Sequence, residues 1–177
     1  AAATQMAILQ TNSRYLYPHL PQYAARLASL FPDPLDTVFL VNSGSEANDL
    51  ALRLAFAWTK SGGGGAPDAP AGAAVITHGD AYHGNSLATM ALSPTEHYNN
   101  THAQSMGVVL ETAAVPAPCT YRYPDLTGAA AARKVTEAMA GLRDSRGQRT
   151  AAMIVETIQG VGGQVPCLIH ICPCRRL

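Results

Sequence analysis

Residues 37–49 read Thr-Val-Phe-Leu-Val-Asn-Ser-Gly-Ser-Glu-Ala-Asn-Asp, and they constrain the fold more than any other stretch of the chain. A β-branched and aromatic run stops abruptly, a small polar turn follows, and a helix begins. The pattern predicts a strand over 37–41 and a helix over about 45–60. α/β proteins build an anion cradle in this way. The strand holds the turn, Gly44 lets backbone come close to a ligand, and the first free N–H groups of the helix point at it. Ser43, Gly44 and Ser45 therefore suit a phosphate, bound by fixed dipoles without a lysine. Ser43 to Glu46 also reads as a capping box, and a well-capped helix with no ligand is the plainer alternative.

The chain of 177 residues is 47% hydrophobic and 14% charged, which predicts a globular domain with a real core. Its formal net charge is zero, so nothing points to nucleic acid or an anionic membrane surface as a partner. No apolar run is long enough to span a bilayer. The start, Ala1-Ala2-Ala3-Thr4, has no Met and no basic-then-apolar leader, and reads as a fragment or processed form.

The pattern alternates along the chain. A helix is predicted over 18–30, with Leu20, Tyr23, Ala24, Leu27 and Leu30 on one face, ended by Phe31-Pro32-Asp33-Pro34. The helix over 45–60 places Ala47, Leu50, Ala51, Leu54, Ala55 and Trp58 on one face. A Gly/Pro/Ala-rich loop is expected over 61–72; its glycine run lacks the Gly-Lys-Ser/Thr of a phosphate loop. Further strands are expected over 73–77, within 107–115 and over 151–155. A short helix is expected from about Ser86 and a longer one over about 127–143. This alternation predicts an α/β fold, a mostly parallel sheet covered by helices on both faces, with ligands beyond the carboxyl ends of the strands.

Two more polar clusters fall at such ends. Tyr82-His83 follows a strand and precedes Gly84, so a flat aromatic there can stack on a ring-shaped cofactor; taken alone, the pair also fits plain loop packing. Glu156 follows an apolar strand, where a carboxylate answers a ligand or an Arg, or is simply solvated. Serine-hydrolase chemistry is weakly supported, because neither Ser43 nor Ser45 sits in a Gly-x-Ser-x-Gly elbow. Cys119 stands alone, while Cys167, Cys172 and Cys174 crowd the end of the chain. With His170 these could supply four metal ligands, but the spacing does not match common zinc sites.

The stretch Val41–Arg53, then Ala81-Tyr82-His83-Gly84, then Ile154-Val155-Glu156, resembles the class III aminotransferases, which use pyridoxal 5′-phosphate (PLP). Asn12-Ser13-Arg14-Tyr15-Leu16 and Val161-Gly162-Gly163-Gln164 look closer to one branch, the alanine–glyoxylate aminotransferase 2-like proteins and their phospho-lyase relatives. The resemblance spans about 10–166. It implies part of the large domain of a fold-type I PLP enzyme over 1–166, a homodimer for the full-length protein, and an amino donor and a 2-oxo acid as substrates. It places Gly44 and Ser45 on the PLP phosphate with Ser43 beside them, Tyr82 on the pyridine ring with His83 adjacent, and Glu156 lining the site.

In the family a lysine joins the cofactor as a Schiff base and an acid holds the pyridine nitrogen protonated. The two lysines here, Lys60 and Lys134, do not stand in the family's lysine context. No catalytic residue is therefore carried over, and little or no transaminase activity is expected of this chain. Residues 167–177 depart from the family pattern and are expected to be an aberrant Cys-rich tail, truncated or misjoined. Val161 stands where many of these transaminases have Glu, which fits the phospho-lyase-like branch without deciding between transfer and elimination. A non-catalytic binding subunit is the alternative from a different class.

Overall fold

The computed structural model describes residues 1–166, except 13, 16, 63–73, 95–104, 108–109, 118, 120, 127 and 147–149. It divides into two compact units, Ala1–Leu40 and Val41–Leu177. The expected tail, the Cys-rich metal candidate within it and most of the expected 61–72 loop lie outside the described residues.

The first unit holds α1 (Ala2–Ile8) and α2 (His19–Ala28), and neither helix buries a residue. α2 is the helix predicted over 18–30. The strand predicted over 37–41 is not formed. These residues pair with no strand among the described residues, and Phe39, Leu40 and Val41 are all exposed. β-branched and aromatic residues favour a pleated surface only when a neighbouring strand supplies the ladder and the packing.

The second unit runs α3 (Gly44–Lys60), β1 (Ala74–His78), α4 (Leu87–Ala91), β2 (Glu111–Val115), α5 (Gly128–Arg146), β3 (Thr150–Ile154), β4 (Ile158–Gln159) and β5 (Val165–Pro166). β1 is central in a parallel sheet of order β2-β1-β3, and β4 and β5 form a small antiparallel pair. Every residue of β1 is buried, as expected of a strand covered on both faces. Side chains alternate across it. Ala74 and Ile76 join Val115 and Leu142 under α5, while Val75 joins Leu52 and Leu92 under α3 and α4. The result is the expected sheet between two helical layers. Fully burying a side chain such as Ile76 contributes about 1.5–3 kcal/mol, and truncating it to Ala costs about 2–5 kcal/mol once the cavity is included.

Helix α3 forms where the sequence places it, with Leu50 and Ala55 of the expected face partly buried, but its most buried residues lie beside that face. Leu52 and Thr59 are buried and Ala55 and Phe56 partly so, whereas Leu54 and Trp58 of the expected face are exposed. Both faces carry aliphatic residues at helical spacing, so periodicity alone cannot choose between them. The buried face continues towards the N-terminus through Asp49, Asn48 and Ser45, and that polar end reaches the site. Among the described residues, no helix is long and apolar enough to cross a membrane.

Candidate active site

The parallel register sets the geometry. Thr77 on β1 pairs with Ile154 on β3, so the segment after β1 and Glu156 emerge side by side at the carboxyl edge of the sheet. The N-terminus of α3 lies against the same segment. Ser43 is the extended N-cap of α3, and its Oγ accepts the Glu46 N–H at 3.2 Å. The reciprocal half of the predicted box is shifted by one residue. Glu46 Oε2 accepts from the backbone N–H of Asn42 at 2.7 Å and from its side-chain amide at 3.1 Å.

The Ala47 N–H bonds the Ser43 carbonyl and the Glu46 N–H is capped, so both are consumed. The N–H groups of Gly44 and Ser45 have no protein acceptor among the described residues. A Cβ on Gly44 would meet nothing within 4 Å, so the approach to these donors is open. Two unpaired N–H groups at the positive end of a 17-residue helix are what a phosphate needs.

Three side chains of α3 clamp the segment after β1. Ser45 Oγ accepts the Asn85 N–H at 3.0 Å, Asn48 Nδ2 donates to the His83 carbonyl at 2.6 Å, and Ser86 Oγ donates to Asp49 Oδ1 at 2.8 Å. Gly84 makes the close approach possible. It has φ +130, and a Cβ there would stand 2.5 Å from Ser45 Oγ and 2.9 Å from Thr89 Oγ1. Ser86 then caps α4 in a box with Thr89.

Tyr82 is half-buried, and its N–H donates to Glu156 Oε1 at 2.7 Å. The other carboxylate oxygen accepts the Gly160 N–H at 3.1 Å. Gln159, fully buried, donates from Nε2 to the Gly79 carbonyl at 3.0 Å and ties the same two segments a second time. His83 is buried. Its ring Nε2 lies 2.9 Å from Thr77 Oγ1, and its N–H donates to Ser93 Oγ at 3.0 Å.

Burial lowers the His83 pKa below 6.5; the Glu156 carboxylate opposes that shift and His78 reinforces it. His78 is likewise lowered by burial against the pull of Glu156. Burial thus favours the neutral form of both imidazoles.

The structure brings four of the candidate residues into one hydrogen-bonded assembly, Ser45, Tyr82, His83 and Glu156, with Ser43 and Gly44 at its open helix end. Sequence reasoning missed Asn48, Asp49, Thr77, Ser93 and Gln159. The only signal was that the turn motif continues through Asn48-Asp49. Neither Ser43 nor Ser45 is hydrogen-bonded to a histidine among the described residues, which leaves the serine-hydrolase alternative without a base. Among the described residues no cluster of His, Cys, Asp and Glu fit to hold a metal is found.

The aminotransferase class-III family profile matches residues 1–168. The chain belongs to the class III aminotransferase family, whose members depend on PLP. It is 38% identical over 172 residues to an alanine–glyoxylate aminotransferase 2-like protein of Drosophila melanogaster, covering 93% of this chain and 32% of that protein. It is 35% identical to an ethanolamine-phosphate phospho-lyase homolog 1 of Caenorhabditis elegans, covering 93% of this chain and 35% of that protein. The PMP-bound aminotransferase of Vibrio fluvialis superposes with a TM-score of 0.69 at 21% identity, over 96% of this chain and 37% of that one, and so shares the fold. The chain spans about a third of the length of the curated relatives it matches.

Proposed function

We propose that this chain carries the phosphate-and-ring half of a PLP site, the site of an enzyme that moves an amino group between an amino donor and a 2-oxo acid. The observation that carries the reading is the open pair of N–H groups at Gly44 and Ser45, set against a loop that presents Tyr82. In this reading Gly44 and Ser45 donate to the phosphate with Ser43 beside them. Tyr82 stacks on the pyridine ring. His83, neutral and held by Thr77, fixes the loop under it. Glu156 would line the site. When bound, PLP supplies an electron sink for the pair released at the carbon bearing the substrate amine.

The chain's own residues bind and orient; they do not anchor the cofactor covalently. Lys60 closes α3 at the end opposite the cradle, about 24 Å away along a helix rising 1.5 Å per residue. Lys134 pairs with Glu137 at 3.0 Å on α5. We therefore read the chain as binding PLP without transaminase turnover.

The phospho-lyase reading, elimination of phosphate from a phosphorylated amine or amino acid, is kept because of the phospho-lyase homolog among the relatives and because the family resemblance implies Glu where this chain has Val161. A homodimer of the full-length protein is part of the proposal.

The test is a PLP titration of the purified chain followed by borohydride reduction and mass measurement. Saturable binding with no added cofactor mass is expected. Covalent trapping on Lys60 or Lys134, or measurable transamination, contradicts the reading.

A further inference from the structure

We propose that Glu156 is a positioning residue that sets the pose of Tyr82 by holding its backbone. This rests on the reading above. Residues 81–84 belong to no helix or strand, so side chains fix their course. Three acceptors from three different segments do this: Glu156 after β3 takes the Tyr82 N–H, Ser93 after α4 the His83 N–H, and Ser45 on α3 the Asn85 N–H. Glu156 is the charged one of the three, and its bond to Tyr82 is the shortest at 2.7 Å.

The carboxylate is also divided. One oxygen serves Tyr82 and the other serves Gly160, across 74 residues of sequence in the first case. A carboxylate is acceptor-only and presents an oxygen to each N–H. No neutral residue does the same. Glutamine would offer one oxygen and turn an NH2 donor towards the other N–H, and alanine would remove both carboxylate acceptors. The buried Gln159–Gly79 bond keeps β4 beside β1 without Glu156. Removal of the carboxylate is therefore expected to loosen the loop that carries Tyr82 rather than the sheet. The N–H groups of Gly44 and Ser45 belong to α3, which makes no bond to Glu156, and the Ser45–Asn85 bond stays in place when the carboxylate is removed, so the hold on phosphate is expected to change less than the pose of Tyr82.

The experiment compares PLP and inorganic phosphate binding in the full chain, in Glu156→Gln, Glu156→Ala, Tyr82→Ala and the Glu156→Ala/Tyr82→Ala double variant. Far-UV circular dichroism checks the fold. If Glu156→Ala fails to fold, Glu156→Gln, which keeps the volume and one acceptor, carries the test. The glutamine variant is expected to bind PLP about three- to tenfold more weakly, the scale of one lost aromatic contact. Its phosphate affinity should stay within about twofold, because Glu156 bonds Tyr82 and Gly160 and not the N-terminus of α3. The induced circular dichroism of bound PLP should fall in the same variant, because the ring loses its fixed wall.

On a Tyr82→Ala background the Glu156 substitution should add nothing further to the loss. Equal loss of phosphate and PLP affinity, or fully additive effects of the two substitutions, overturns the proposal. An unmodified chain that binds phosphate but not PLP overturns the proposed function itself.

Discussion

A Cβ atom on Gly84 would stand 2.5 Å from the hydroxyl oxygen of Ser45, so the loop after β1 meets the first turn of α3 where only glycine fits. That contact turns two ordinary elements, a capped helix and a strand-following loop, into one site. The Ser45 hydroxyl also accepts the Asn85 N–H at 3.0 Å, so the approach is a bond as well as a close fit.

Gly84→Ala is accordingly expected to destabilise the second unit by about 1–3 kcal/mol, through overpacking and a positive φ that alanine rarely adopts. Urea unfolding of the variant against the unmodified chain measures this. An unchanged midpoint would mean that the loop and helix are free to separate.

Asn48→Asp replaces the donor that meets the His83 carbonyl at 2.6 Å with an oxygen facing an oxygen. The lost bond and the new repulsion together should cost about 1–3 kcal/mol. Asn48→Ala should cost less, since it removes the donor without adding a charge. The order of the two urea midpoints is the check.

Ser43→Ala leaves the Glu46 N–H without its cap. A loss of about 1 kcal/mol is expected, as for other N-cap serines. Phosphate affinity should change by less than stability does, because the free donors belong to Gly44 and Ser45. Calorimetry of phosphate binding beside urea unfolding separates the two effects.

Burial holds the His83 and His78 pKa values below 6.5, so the unfolded chain binds more protons than the folded one in the window beneath that value. Their contribution to stability is then present above about pH 7 and is lost as the pH falls through 6.5 towards the lowered folded values. Glu156 lessens the loss, so Glu156→Gln should steepen it. Urea midpoints measured between about pH 5 and pH 8 test the sign, and a stability that rises on acidification contradicts it.

The three-layer sheet was legible in the sequence because β1, β3, α3 and α5 each carry a local pattern strong enough to name them. The α3 N-terminus was legible because Ser43-Gly44-Ser45-Glu46 holds its own cap within four residues. The strand at 37–41 was misread because its propensity needs a partner that the pattern cannot supply. The α3 face was partly misread because Leu54 and Trp58 repeat at the same spacing as Leu52, Phe56 and Thr59. The clamps lay beyond local reading. Asn48 meets His83 across 35 residues, Ser45 meets Asn85 across 40, and Glu156 meets Tyr82 across 74. Nothing in a short window of sequence says that those groups share a site.

The central claim is that the N-terminus of α3 holds the phosphate of PLP. Equilibrium binding of PLP beside pyridoxal, the same ring without its phosphate, tests it most directly. PLP should bind at least about tenfold more tightly than pyridoxal, a difference of about 1.4 kcal/mol from charge-assisted bonds at the helix end. Inorganic phosphate should compete with PLP. Equal affinity for the two compounds, with no competition from phosphate, would contradict the account.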